Sequence, residues 1–243
     1  MKIGLFGDSY IDLIWHRHPD HRPDPATVPW SGRLLQALDS PIISSGLGGS
    51  NQYHAIRTWQ DCTETLDVAI FTFTWHDRLY SDLDNFQEIL SSHAERRKPN
   101  IDDANADDIM QGMDLYYRYL RSPGQDLFNY EQQVKWCLDL PNSNKQTKFI
   151  FLPNTEIARE IALRHHKGPA GVLVDFAFET LSNREPGSPG AMPIWCGRYG
   201  HLGDRNHELF KDCMVELINN YDQYCHRDNF GIYRLDYKDF DTI

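Results

Sequence analysis

The 243-residue sequence has no Cys-x-x-Cys pair, no long hydrophobic run and no surplus of positive charge. Without a long apolar run, no segment is expected to span a bilayer. With 35 acidic against 24 basic residues the net charge is −11, so general nucleic-acid binding is not expected: phosphates would be repelled. The five cysteines (62, 137, 196, 213 and 225) are odd in number and unpaired in spacing, which reads as reduced thiols and not a disulfide frame or zinc site. No internal repeat or low-complexity tract is present. The dinucleotide fingerprint G-x-G-x-x-G is missing, and no lysine follows the one glycine-rich turn at P-loop spacing. His16, His18 and His21 lack carboxylate or cysteine partners at ligand spacing, so no metal is expected.

What the chain does contain is alternation. Lys2–Phe6 is a short apolar strand, and Pro29–Leu38 has helical spacing with Trp30, Leu34, Leu35 and Leu38 on one side. A strand over 41–44 leads to the turn Gly46-Leu47-Gly48-Gly49-Ser50-Asn51, and a helix over 50–60 is capped by Ser50 or Asn51. The run 66–73 is the clearest strand, apolar enough to be central and parallel. Residues 81–146 read as a charged helical insertion, with helices over 109–120 and 126–140. A strand over 148–152, a helix over 155–164, a last strand over 171–175, a loop over 183–193 and a closing helix over 204–221 complete the pattern. This predicts an α/β fold, a doubly wound three-layer sandwich with a mostly parallel sheet, over residues 1–221, and an appended extension over 222–243. The N-terminus runs straight into a strand containing Asp8, which is unlike a signal peptide, so a cytoplasmic location is expected.

Chemistry concentrates in three places. Gly7-Asp8-Ser9 follows the first strand, at the edge where open α/β sheets bind ligands. The nucleophile-elbow pattern G-x-S-x-G fails, because Ile11 stands at its second glycine. The glycine turn 46–49 follows the second strand. Finally, Arg198-Tyr199-Gly200-His201-Leu202-Gly203-Asp204-Arg205-Asn206-His207 leads into the closing helix. A G-D-S after strand one, a glycine turn after strand two and a histidine before the last helix together resemble the SGNH (GDSL-type) hydrolases.

That resemblance implies a serine hydrolase acting on ester-like acyl groups, with a small-molecule or glycan ester as substrate, no metal and no organic cofactor. Ser9 would be the nucleophile. Two histidines compete for the base: His207 satisfies a literal D-x-x-H with Asp204, whereas His201 has the better placement, just ahead of a helix that Asp204 can cap. If His201 is the base, Arg198 stands where the family's acid belongs, and Asp12 or Asp175 become candidates for that acid. The backbone N–H groups of Ser9 and Gly49 would hold the oxyanion, beside Asp8. The family's asparagine after strand three is absent from Thr74-Trp75-His76-Asp77-Arg78; His76, Arg78 or Asn51 could substitute. The competing reading is a catalytically weak SGNH-like protein that binds a carbohydrate or a protein partner. A nucleotide binder using the same two turns is a further alternative, disfavoured by the missing fingerprint.

Overall fold

The computed structural model describes residues 1–8, 10–11, 13, 28–44, 46, 50–76, 78–79, 89–90, 111–112, 115–181, 202, 204–226 and 229–240. Five parallel strands form the sheet: β1 (Ile3–Phe6), β2 (Val68–Phe73), then, after the small antiparallel pair β3 (Arg78–Leu79) and β4 (Ile89–Leu90), β5 (Lys148–Pro153), β6 (Val172–Val174) and β7 (Ile232–Tyr233). They lie in the order β1-β2-β5-β6-β7. On the outer side of β1, Ile42 makes a lone parallel bridge to Ile3.

The expected strand over 41–44 is thus reduced to one bridge, for a visible reason. Two backbone donors on the outer edge of β1 are taken by serine hydroxyls instead of carbonyls: Ile3 N–H by Ser40 Oγ at 3.1 Å and Leu5 N–H by Ser44 Oγ at 2.9 Å. Side chains complete the ladder where backbone does not. The same happens inside the sheet, where β6 begins too late to serve Phe149. There the Tyr221 hydroxyl accepts from Phe149 N–H at 3.0 Å and donates to Phe149 C=O at 3.1 Å.

Strand residues alternate between two cores, as a period of 2 requires. Ile3, Leu5, Val68, Ile70, Ile150, Leu152, Val172 and Val174 face one side. Helices α1 (Trp30–Ala37) and, near the C-terminus, the long helix Asp204–Asn219 cover that side. Phe6, Ala69, Phe71, Phe73, Phe149, Phe151 and Leu173 face the other. There the covering helices are α2 (Gln52–Asp61), α3 (Pro123–Ser143) and α4 (Glu156–His165). The chain continues through α5 (Phe178–Leu181) into that long helix, α6, and then α7 (Tyr221–Tyr224). The result is the expected three-layer α/β sandwich.

Two expectations are corrected. The stretch 81–146 is not purely helical, since β4 lies within it and pairs with β3; within the helix expected over 109–120, Tyr116–Leu120 forms a π-helical turn. The segment 222–243 is not an appended extension, and the strand near 172 is not the last. Ile232–Tyr233 pairs with β6, while Tyr233, Leu235 and Phe240 are buried in the α1/α6 core. Its amphipathic alternation is too short to be read as a strand without the partner edge that β6 provides. The loop expected over 183–193 lies outside the described residues. Among the described residues no helix is long and apolar enough to cross a membrane.

Candidate functional site

From β1 the chain goes outward to the Ile42 bridge and then returns across β1 to β2. Connections therefore leave β1 and β2 toward opposite sides, and a crevice at their carboxyl ends is where a doubly wound sheet places a ligand. Gly7 and Asp8 emerge there.

Asp8 is fully buried and held through both its backbone and its side chain. Its N–H reaches Thr72 Oγ1 at 3.4 Å, and its C=O accepts from Ile11 N–H at 3.1 Å. Its Oδ1 accepts from Tyr10 N–H at 3.2 Å and from Asn154 Nδ2 at 2.8 Å. The bond to Tyr10 two residues on is an Asx turn, the local alternative to strand that aspartate offers. Asp8 thus shapes the backbone on either side of Ser9. Gly7 is required at its position: with φ +156°, a Cβ there would stand 1.7 Å from Thr72 Oγ1.

The second turn packs on the first. A Cβ on Gly46 would lie 2.6 Å from Asp8 C=O and 3.0 Å from Gly7 C=O, so only glycine permits this approach. Ser50, also buried, donates its hydroxyl to Gly7 C=O at 3.1 Å. Asn51 then caps α2, its Oδ1 accepting from His54 N–H at 3.0 Å. Of the two expected caps, Asn51 serves the helix and Ser50 serves the neighbouring turn.

After β2, the next block is tied down by a residue the sequence reading passed over. Gln52, 1% exposed, accepts the Thr74 N–H at 3.1 Å. His76 is half-buried, its ring 6.2 Å from that of Tyr130, and its Nδ1 has no hydrogen-bond partner among the described residues. Arg78 opens β3. Asn154 and Thr155, also passed over, follow the Pro153 that ends β5. Thr155 caps α4 through a bond from Ala158 N–H at 3.1 Å. Asn154 is fully buried; its N–H donates to Phe73 C=O, and its Oδ1 lacks a partner among the described residues. A buried acceptor left unsatisfied costs about 1–3 kcal/mol, so a residue kept there has its reason in the bond its other end makes to Asp8. The signal available in the sequence was a polar pair directly after an apolar strand, at the same edge as Gly7 and Asp8.

His207 lies in the first turn of α6, 5% exposed, and its Nδ1 accepts the backbone N–H of Trp30 at 3.1 Å. It caps α1, whose own cap position is Pro29, a residue with no capping side chain. Burial, and then the nearby Arg33 charge, push its pKa down to about 3. An imidazole that accepts at Nδ1 while neutral carries its proton on Nε2, so neither nitrogen offers a lone pair to a serine hydroxyl. Trp30 in turn donates its indole N–H to Tyr10 C=O at 2.7 Å, linking the cap to the site turn. Below that turn Tyr10 stacks on Phe178 at 4.9 Å, and Trp30 meets Phe210 edge-on at 4.8 Å.

Ser9, Asp12, Gly49 and His201 lie outside the described residues, as does the side chain of Asp204, whose backbone begins α6. Leu202, beside His201, is buried in the same core as Tyr10, Ile11 and Trp30. Asp175, one candidate for the orienting acid, is engaged elsewhere: its Oδ1 takes Arg159 Nε at 2.8 Å and Nη2 at 2.7 Å. Among the described residues no group of three His, Cys, Asp or Glu side chains is arranged to hold a metal ion. No protein-family model matches the chain, and no curated protein or solved structure is significantly similar to it.

Proposed function

We propose that the protein is a serine hydrolase acting on ester-like acyl groups. The observation that carries this reading is the contact between two turns: the one that leads into Ser9 is packed, through Gly7 and Asp8, against Gly46 and Ser50 of the turn that contains Gly49. A nucleophile and an oxyanion donor are needed within one hydrogen-bonded neighbourhood, and two interlocked turns at the carboxyl edge are a rigid way to supply it. In this mechanism Ser9 Oγ attacks the acyl carbon and gives its proton to a histidine. The carbonyl oxygen gains negative charge against the Ser9 and Gly49 N–H groups. Collapse expels the alcohol, which takes the proton back, and water then hydrolyses the acyl-serine by the same route. His201 is the better base, because the His207 ring is engaged at Trp30.

A second reading is favoured by the carboxylates. Of the candidate orienting acids, Asp175 is committed to Arg159, while Asp12 and the Asp204 side chain lie outside the described residues. On this reading the protein is a weak or inactive relative that binds a carbohydrate or a protein partner. A serine-directed phosphonate separates the two. The hydrolase is labelled at Ser9, at a rate that rises through a pH near the ordinary histidine value of ~6.5. Ser9→Ala removes the label and lowers ester turnover by roughly three decades or more, and His201→Ala removes the pH-dependent reaction. A wild type that never labels assigns the protein to the binding class.

A further inference from the structure

We infer that Asn154 is a positioning residue for the nucleophile turn, acting through Asp8; this rests on the hydrolase reading above. β2 stands between β1 and β5, so the 2.8 Å bond from Asn154 Nδ2 to Asp8 Oδ1 crosses the carboxyl end of the central strand. Under this crossing lies Thr72, whose hydroxyl accepts the Asp8 N–H, and beside it Asn154 N–H holds the last carbonyl of β2. Three strand ends are thereby fastened at one residue, the one that precedes Ser9. The carboxylate oxygen that takes the Asn154 amide is also the one that takes Tyr10 N–H. Asp8 and Tyr10 are therefore joined by an Asx turn whose acceptor is also bonded from the residue after β5.

Burial makes this more than a surface tether. Asp8 and Asn154 are both fully shielded from solvent, and the amide is held although its Oδ1 has no partner among the described residues. An apolar residue would leave no such orphan but could not donate a hydrogen bond to the Asp8 side chain. Asn154 supplies a fixed N–H donor, and with it a unique direction for the aspartate side chain. The catalytic consequence concerns orientation: the residues on either side of Ser9 in the chain, Asp8 and Tyr10, are held to one another by the oxygen that this bond fixes. Displacements on the order of 1 Å at a reacting group cost about a hundredfold in rate.

The test compares wild type with Asn154→Ala and Asn154→Asp, each well below its own unfolding temperature. Two readouts are used: phosphonate labelling of Ser9, and amide exchange at Tyr10 and Ile11, each compared with wild type at the same pH. Asn154→Ala is expected to slow labelling roughly ten- to hundredfold and to deprotect the Tyr10 amide. Asn154→Asp sets a second carboxylate against Asp8. At pH 8 it should be at least as impaired, and it should regain Tyr10 protection on acidification, when the two carboxyls share one proton. A merely structural polar residue would not produce that reversal. Unchanged Tyr10 protection in both variants, or wild-type labelling in Asn154→Ala, overturns the inference. If wild type does not label but Tyr10 still loses protection in the variants, the hydrolase reading falls and Asn154 stands as the anchor of the turn.

Discussion

The two ends of strands β1, β2 and β5 differ in how they use polar side chains. At the amino ends of β1, β2 and β5, charges meet in water. Lys2 Nζ lies 2.8 Å from Glu64 with both side chains about half exposed, and Lys148 Nζ stands 3.8 Å from the exposed Asp222. At the carboxyl ends of the same strands, Asp8, Thr72, Thr74, Asn154 and Thr155 are buried and satisfied mainly by backbone groups and one another. Exposed pairs contribute little and are screened by salt, so the amino end does not need these ion pairs to fold. Buried polar groups carry a desolvation cost that only well-aimed hydrogen bonds offset. The amino end has buried polar groups too, Thr147 on Leu66 C=O and Tyr221 on Phe149, but the larger cluster sits at the carboxyl end, where the ligand crevice lies.

The sharpest way to break that contrast is at Gly7. Gly7→Ala drives a Cβ into Thr72 Oγ1 at a backbone conformation unfavourable to side chains, and is expected to cost roughly 3 kcal/mol or more. Denaturant unfolding measures it; a loss below about 1 kcal/mol would mean the carboxyl edge is looser than its hydrogen bonds imply.

A second test uses pH. His207 has its pKa depressed to about 3 in the fold, against an ordinary 6.5, so between those values the unfolded chain binds a proton that the native one excludes. Its contribution is fully present above pH 6.5 and is lost as the pH falls toward 3, with a slope of about 1.4 kcal/mol per pH unit. His207→Gln retains an acceptor for Trp30 N–H but cannot take up that proton. Its stability should therefore fall less steeply than wild type between pH 6.5 and 4, and parallel curves would deny His207 its role as a neutral cap.

The smallest effect belongs to the amino end. Glu64→Gln should move Tm least of these substitutions, and the shift should vanish in high salt. A large, salt-resistant shift would erase the distinction between the two ends.

Legibility in the sequence followed the same division. The buried strands β1, β2 and β5 were readable because apolar runs such as Val68–Phe73 and Lys148–Pro153 can hardly be anything but central strands. The turn after β1 was readable from Gly7-Asp8-Ser9, since glycine and aspartate there have a local conformational reason. Asn154 and Gln52 were not, because their roles are set by partners 146 and 22 residues away and no local pattern announces a bond of that span. The capping role of His207 was hidden for the same reason: Trp30 is 177 residues distant. The strand β7 escaped notice because two residues have no periodicity, and an edge strand is specified by the neighbour that receives it.

The placement of β7 bears on how the chain emerges from a ribosome. Residues 232–233 close the outer flank of β6, and Tyr221 supplies the hydroxyl that completes Phe149. Until those residues are synthesised, a nascent chain holding β1 to β6 presents the edge of β6 as an open hydrogen-bonding template. During that interval the partly made domain is at its most adhesive toward other nascent copies, and vectorial synthesis ends the hazard only once β7 has been made.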